Sequence, residues 1–149
     1  MSITGKKNTK TGRHLKIDMW FGSRVQQACV RSIASHVKNM INGVTKGYQV
    51  RMQGIFSHFP MELDPQKNGT EIGITNYLGE RITRKVAMAK GVKVEKTDKQ
   101  HEILISGNDL ELVSQSAASI HEITRTKTKD IRKFLDGVYV TSSGFIEDN

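Results

Sequence analysis

Apolar positions along this chain recur at two spacings, and the spacing changes mark its elements. Leu15, Ile17 and Met19 alternate over residues 14–20, which predicts a strand ended by Trp20-Phe21-Gly22. Ser23 then suits an N-cap, because its hydroxyl can accept from an unpaired amide of a first helical turn. Val25, Ala28, Cys29, Ile33, Val37, Met40, Ile41 and Val44 follow at three- and four-residue intervals, so they fall on one stripe of a helix. Arg24, Gln27, Arg31, Lys38 and Asn42 occupy the other side, and Gly43 and Gly47 bracket the stop. Before all of this, residues 6–13 read as a basic loop with no apolar period.

Beyond the helix, Val50, Met52, Ile55 and Phe56 give residues 48–59 strand character, with Gly54 as a candidate bulge and Pro60 as the close. Asp64-Pro65 and Asn68-Gly69 predict a loop leading into a strand at 70–75. Short strands are predicted at 81–88, 92–95 and 102–106. Asn108 with Glu111 three residues on reads as a capping box, opening a second helix striped by Leu110, Val113, Ala117, Ile120 and Ile123. After it comes a basic tail. Helices that back antiparallel strands without alternating with them predict an α+β fold. The two helix-containing halves show no convincing internal repeat.

Charge sharpens the picture. Lys and Arg outnumber Asp and Glu by 23 to 15, for a net charge of +8. That balance points to a polyanionic partner, nucleic acid before membrane, since no long apolar run or lipidation motif is present. The cations fall in three zones. One is Lys6, Lys7, Lys10, Arg13 and Lys16. The second is Arg81, Arg84, Lys85 and Lys90, with Lys93 and Lys96 partly neutralised by Glu95 and Asp98. The third is Arg125, Lys127, Lys129, Arg132 and Lys133, broken only by Asp130 and followed at once by apolar Phe134, Leu135, Val138, Tyr139 and Val140. A cationic run joined to an apolar element presents charge at fixed geometry, and its interleaved threonines suit phosphate and sugar oxygens.

Catalytic chemistry is missing from the sequence. No phosphate-binding glycine loop, dinucleotide fingerprint or nucleophile elbow occurs. His14, His36, His58, His101 and His121 show no metal-ligand spacing, and the acids form no paired-carboxylate site. Neither enzyme activity, a cofactor nor a small-molecule substrate is expected. Cys29 lies in the helical stripe and reads as a small core residue, while His36 beside the stripe reads as a partly buried structural histidine. One cysteine excludes an internal disulfide and fits a reducing compartment; with no signal peptide, the cytosol is the expected location. Trp20, Phe21, Phe56, Phe59 and Tyr139 sit in apolar contexts and are expected mostly in the core. Recognition would then use phosphates and backbone shape, which favours folded RNA over single strands.

Several motifs carry a family resemblance. They are Trp20-Phe21-Gly22, Ser35-His36-Val37-Lys38-Asn39-Met40-Ile41, Gly43-Val44-Thr45 and Ser57-His58-Phe59-Pro60. Asn76-Tyr77-Leu78-Gly79-Glu80, Gly107-Asn108-Asp109, Glu111-Leu112-Val113-Ser114 and the 129–137 stretch KDIRKFLDG continue the series. In this order they resemble the universal large-subunit ribosomal protein family numbered six in bacteria, in its eukaryotic form numbered nine. The resemblance implies two small α+β domains, each an antiparallel-rich sheet packed against one helix: 1–47, lacking the family's first strands, and 48–149, with the basic tail. Without those strands the stripe of the first helix would back an incomplete sheet; either they lie upstream of this sequence or they have been lost, with the ribosome covering the apolar surface. The resemblance further implies binding to large-subunit rRNA near the sarcin–ricin loop and the landing area of translational GTPases, beside neighbouring ribosomal proteins. The tail positions matching the family's rRNA contacts are Lys127, Lys129, Arg132 and Lys133. A free RNA-binding ribosome-assembly factor would share the same charge pattern.

Overall fold

The computed structural model describes the backbone of residues 2–8 and 12–146, and side chains from residue 15 to residue 146. By packing, the chain divides into two compact units, Met1–Ile41 and Asn42–Asn149. The first holds an antiparallel hairpin of β1 (Ser2–Asn8) and β2 (Gly12–Asp18), then most of helix α1 (Arg24–Thr45). The basic stretch expected as a loop is therefore largely strand: Lys7 faces Arg13 and Lys6 faces His14 across the hairpin. Alternating Lys and polar residues carry no apolar period, so cross-strand pairing was invisible in that stretch. Ser23 does open α1, and it does so reciprocally. Its Oγ accepts from the Gln26 amide at 3.5 Å, its own amide donates to Gln26 Oε1 at 2.9 Å, and its carbonyl accepts the Gln27 amide at 2.9 Å.

The expected packing of α1 is not what the structure gives. Gly43 is its only buried residue, and Val25, Met40, Ile41 and Val44 are exposed. Cys29 and His36 are exposed as well, so the core roles read from the stripe are corrected. A two-stranded hairpin offers too little surface to cover a six-turn apolar stripe. At the far end, Gly47 ends the helix with φ of 69°, its amide and that of Lys46 both donating to Asn42 O.

The second unit carries the core. A four-stranded antiparallel sheet has the order β7 (Val92–Lys96), β8 (Glu102–Gly107), β3 (Tyr48–Ile55), β9 (Gly137–Phe145). A three-stranded antiparallel sheet has the order β4 (Glu62–Gln66), β5 (Glu71–Thr75), β6 (Arg84–Ala87). Helix α2 (Leu110–Ile123) packs on β3, β8 and β9 with its Val113, Ala117, Ile120 face, and also meets β6 and β7. Met52, Ile72, Ile74, Ile103, Ile105, Val113, Ile120 and Val138 are fully buried together. Each such side chain contributes roughly 1.5–3 kcal/mol of burial. The fold is α+β, but this unit uses two sheets where one was expected.

Three local expectations change. Asp64-Pro65 lies within β4 instead of a turn. β4 is an edge strand, where a proline's missing N–H breaks no ladder. The bulge sits opposite Arg51 and Met52, at Thr141 of β9, whose hydroxyl donates to Arg51 O; Gly54 instead passes its amide to His101 O at 2.8 Å. Asp109, not Asn108, caps α2, its carboxylate accepting the Glu111 amide at 3.0 Å. The reason for that shift is at Gly43. A Cβ there would stand 1.9 Å from Asn108 O, so Asn108 is committed to close backbone contact with the end of α1.

Candidate nucleic-acid interface

The third cationic zone spans the connection between α2 and β9, and both ends of that connection are fixed. Thr124 is buried at the α2 C-terminus. Its hydroxyl donates back toward Ile120 O and His121 O, at 3.2 and 3.0 Å, and accepts the amide of Val138 in β9 at 3.1 Å. One buried hydroxyl thus ties the end of the helix to the start of the edge strand. The tail read from sequence as following the last helix is in fact a loop returning into the sheet. It returns there because β9 completes the ladder of β3 over Tyr48 to Ile55.

Inside the loop, Asp130 organises its neighbours. Its Oδ1 accepts the Arg132 amide at 2.9 Å, and its two oxygens take the Arg132 guanidinium side-on at 3.2 and 3.0 Å. Its carbonyl accepts the amides of Lys133 and Phe134. The Arg132 side chain, and next the Arg132 backbone amide, hold the Asp130 carboxyl below the ordinary carboxylate value. Arg125, Lys127, Lys129, Arg132 and Lys133 are all exposed, and the Lys129 ammonium lies 5.8 Å from the Phe134 ring centroid. Arg132 is already paired, while its outer face remains in solvent.

The second zone separates into two kinds of cation. Arg81 and Lys85 are exposed. Arg84 is half-buried, with Nε and Nη2 on the Glu80 carboxylate at 3.0 and 2.7 Å, Nη1 donating to Ile123 O, and its guanidinium 4.4 Å above the Tyr77 ring. The turn Asn76-Tyr77-Leu78-Gly79-Glu80 supplies this seat. Asn76, at φ 58°, donates to Pro60 O at 2.8 Å, while buried Tyr77 reaches Asp136 O at 3.4 Å. Burial keeps the Tyr77 phenol protonated beyond its ordinary value. Arg84 therefore joins β6 and the 76–80 turn to the end of α2, and its charge is spent largely on that joint.

Arg84 and Lys127 line one recess of about 560 Å³ with Ser119, Glu122 and Ile123. A second, of about 550 Å³, shares Glu122 and is bordered by Arg125, Thr126, His121, Phe134, Asp136 and Tyr139. The structure thus brings part of the second zone beside the third. In the first zone, Lys6, Lys7 and Arg13 lie in described strands, but their side chains and the whole of Lys10 lie outside the described residues. Trp20, Phe21 and Phe59 are exposed, against the expected core placement, and Phe56 is half-buried. His121, Phe134 and Tyr139 were not singled out by sequence as an interface. The one available signal was an aromatic placed directly after the basic run. Among the described residues no cluster of His, Cys, Asp and Glu could hold a metal ion, and no helix is long and apolar enough to cross a membrane.

Comparison with known proteins matches this region. The profile of the Ribosomal protein L6 family covers residues 59–137, from the proline-closed turn through the cationic loop to β9. Large ribosomal subunit protein uL6A of Schizosaccharomyces pombe is 47% identical over 140 residues, which is 93% of this chain and 74% of that protein. The chain belongs to the ribosomal protein L6 family. Large ribosomal subunit protein uL6A of Saccharomyces cerevisiae is 43% identical over 95% of this chain and 76% of its own length. The archaeal uL6 of Staphylothermus marinus is 39% identical over 95% of this chain and 74% of its length. L6 family members are structural proteins and not enzymes, consistent with the lack of catalytic motifs in the sequence.

Proposed function

We propose that this L6-family chain is a structural constituent of the large subunit of the cytosolic ribosome, where it binds large-subunit rRNA. The observation that carries the reading is the exposed cationic loop at 125–133, clamped at both ends between α2 and β9 by Thr124. In this reading Lys127, Lys129, Arg132 and Lys133 neutralise phosphates, with Arg125, Arg81 and Lys85 beside them. Arg84 holds the surface in shape, and Lys6, Lys7, Lys10 and Arg13 add further phosphate contacts. In this reading two domains, 1–47 and 48–149, both contribute basic contacts. The site of binding is near the sarcin–ricin loop and the landing area of translational GTPases, among neighbouring ribosomal proteins. A rigid loop is needed because cations on a mobile tail lose their binding energy to the entropy of ordering.

Each neutralised phosphate releases counterions, so affinity falls steeply with salt. Lys129→Ala with Arg132→Ala is expected to weaken rRNA binding and flatten its salt dependence while the melting temperature holds. Unchanged binding with a lower melting temperature would make those side chains structural. In low-salt lysate the chain should sediment with mature large subunits at one copy each. Substoichiometric recovery that disappears from mature subunits would instead identify an assembly factor.

A further inference from the structure

Beneath the cationic loop, the recess bordered by His121, Phe134 and Tyr139 has the chemistry of a base site. We propose that it receives one unstacked, amino-bearing nucleobase of the bound RNA. The proposal rests on the rRNA-binding reading and deepens it.

Size and shape come first. At about 550 Å³ the recess lies within the range of small-molecule sites and has room for a purine. Its aromatic walls are held by hydrogen bonds to backbone carbonyls. Tyr139 donates its hydroxyl to Leu135 O at 3.0 Å, and His121 Nδ1 lies 2.8 Å from Val138 O. A carbonyl only accepts, so Nδ1 carries the proton and the ring orientation is fixed. The two rings stand 5.1 Å apart, tilted by 57°, and Phe134 closes the loop side of the recess. Pre-set faces of this kind take a base without the cost of ordering them first.

Charge then decides what enters. Glu122 and Asp136 both line the recess, and two carboxylates repel a phosphate. They accept hydrogen bonds well from an exocyclic amine, which favours adenine, cytosine or guanine; uracil offers only its ring N3–H. Cations for the flanking phosphates stand close by: Arg125 lines the recess, and the Lys129 ammonium lies 5.8 Å from the centroid of the Phe134 ring. Exposure points the same way. Ile131 is 53%, Phe134 42% and Leu135 60% exposed on a loop that also carries five exposed cations. Apolar surface held beside cations suits a ligand with both a π-face and a phosphate.

The test uses the full chain and purified large-subunit rRNA. Ultraviolet crosslinking followed by mass spectrometry should place a nucleotide adduct on the peptide containing Phe134 or Tyr139. Phe134→Leu keeps the apolar volume and removes the π-face; it should weaken binding about fivefold or more, the scale of one lost stacking contact. The slope of affinity against salt should not change, because no phosphate contact is removed. The proposal is overturned if Phe134→Leu binds like the wild type while Lys129→Ala with Arg132→Ala binds weakly; the rRNA reading then stands alone. It is also overturned if the adduct at this recess is a protein peptide in place of a nucleotide. If neither variant weakens binding, the rRNA reading itself fails and this inference fails with it.

Discussion

Replacing Thr124 by valine tests whether one buried hydroxyl sets the geometry of the cationic loop. Valine keeps the shape and removes the oxygen, so packing at this 2% exposed position is nearly unchanged. What is lost is the acceptor for the Val138 amide, at 3.1 Å in the wild type, on a residue that is itself fully buried. An unsatisfied buried donor costs about 1–3 kcal/mol, more than the net worth of the hydrogen bond itself. For a domain of this size that lowers the melting temperature by roughly 3 to 12 °C. Thr124→Ser, which keeps the oxygen and removes one methyl, should cost about 1 kcal/mol. The assays are thermal denaturation and amide hydrogen exchange, with Val138 expected to lose protection in Thr124→Val and retain it in Thr124→Ser. Because every cation remains, rRNA affinity should fall less than in the Lys129→Ala, Arg132→Ala chain. A Thr124→Val protein that melts within about 1 °C of wild type with Val138 still protected would show that the clamp has no such role.

Two further outcomes follow from the same geometry. Gly43→Ala places a Cβ 1.9 Å from the Asn108 carbonyl, a clash only a backbone shift can relieve, so it should destabilise by about 1–3 kcal/mol despite alanine's better helix propensity. Equal or higher stability in urea denaturation would mean that the junction of α1 with α2 yields freely. The turn at Asp130 should also depend on pH in one direction. Its carboxyl is held below the ordinary value of 3.8, so its contribution is complete above that value and disappears as pH falls through the lowered folded value. The Arg132 amide resonance, which reports the bond to Asp130, should stay in place until pH is below 3.8; a midpoint at or above 3.8 would remove the ion pair from the account.

Much of this chain was legible because much of its information is local. The stripe of Leu110, Val113, Ala117, Ile120 and Ile123 predicts α2, and alternation predicts β2, β3 and β8, since burial on one face imposes a period that sequence displays. Motifs such as 76–80 and 129–137 revealed the family. Charge count alone proposed a polyanion partner.

The failures share a cause as well. β9 was missed because Gly137–Phe145 carries two serines, a threonine and two glycines, and becomes a strand through pairing with β3. Asp64-Pro65 looked like a turn because its edge position depends on which strands flank it. Arg84 looked equivalent to Lys85 until Glu80, Tyr77 and Ile123 closed around it.

Sequence by itself determined the charge, the class of fold and the family of this protein, because composition, periodicity and motif are properties of neighbouring residues. Only the tertiary structure decided which cations are free, what clamps their loop, and that Phe134, Tyr139 and His121 share a recess beneath it. Those facts depend on hydrogen bonds and contacts between residues far apart in the chain, and such contacts leave no period to read.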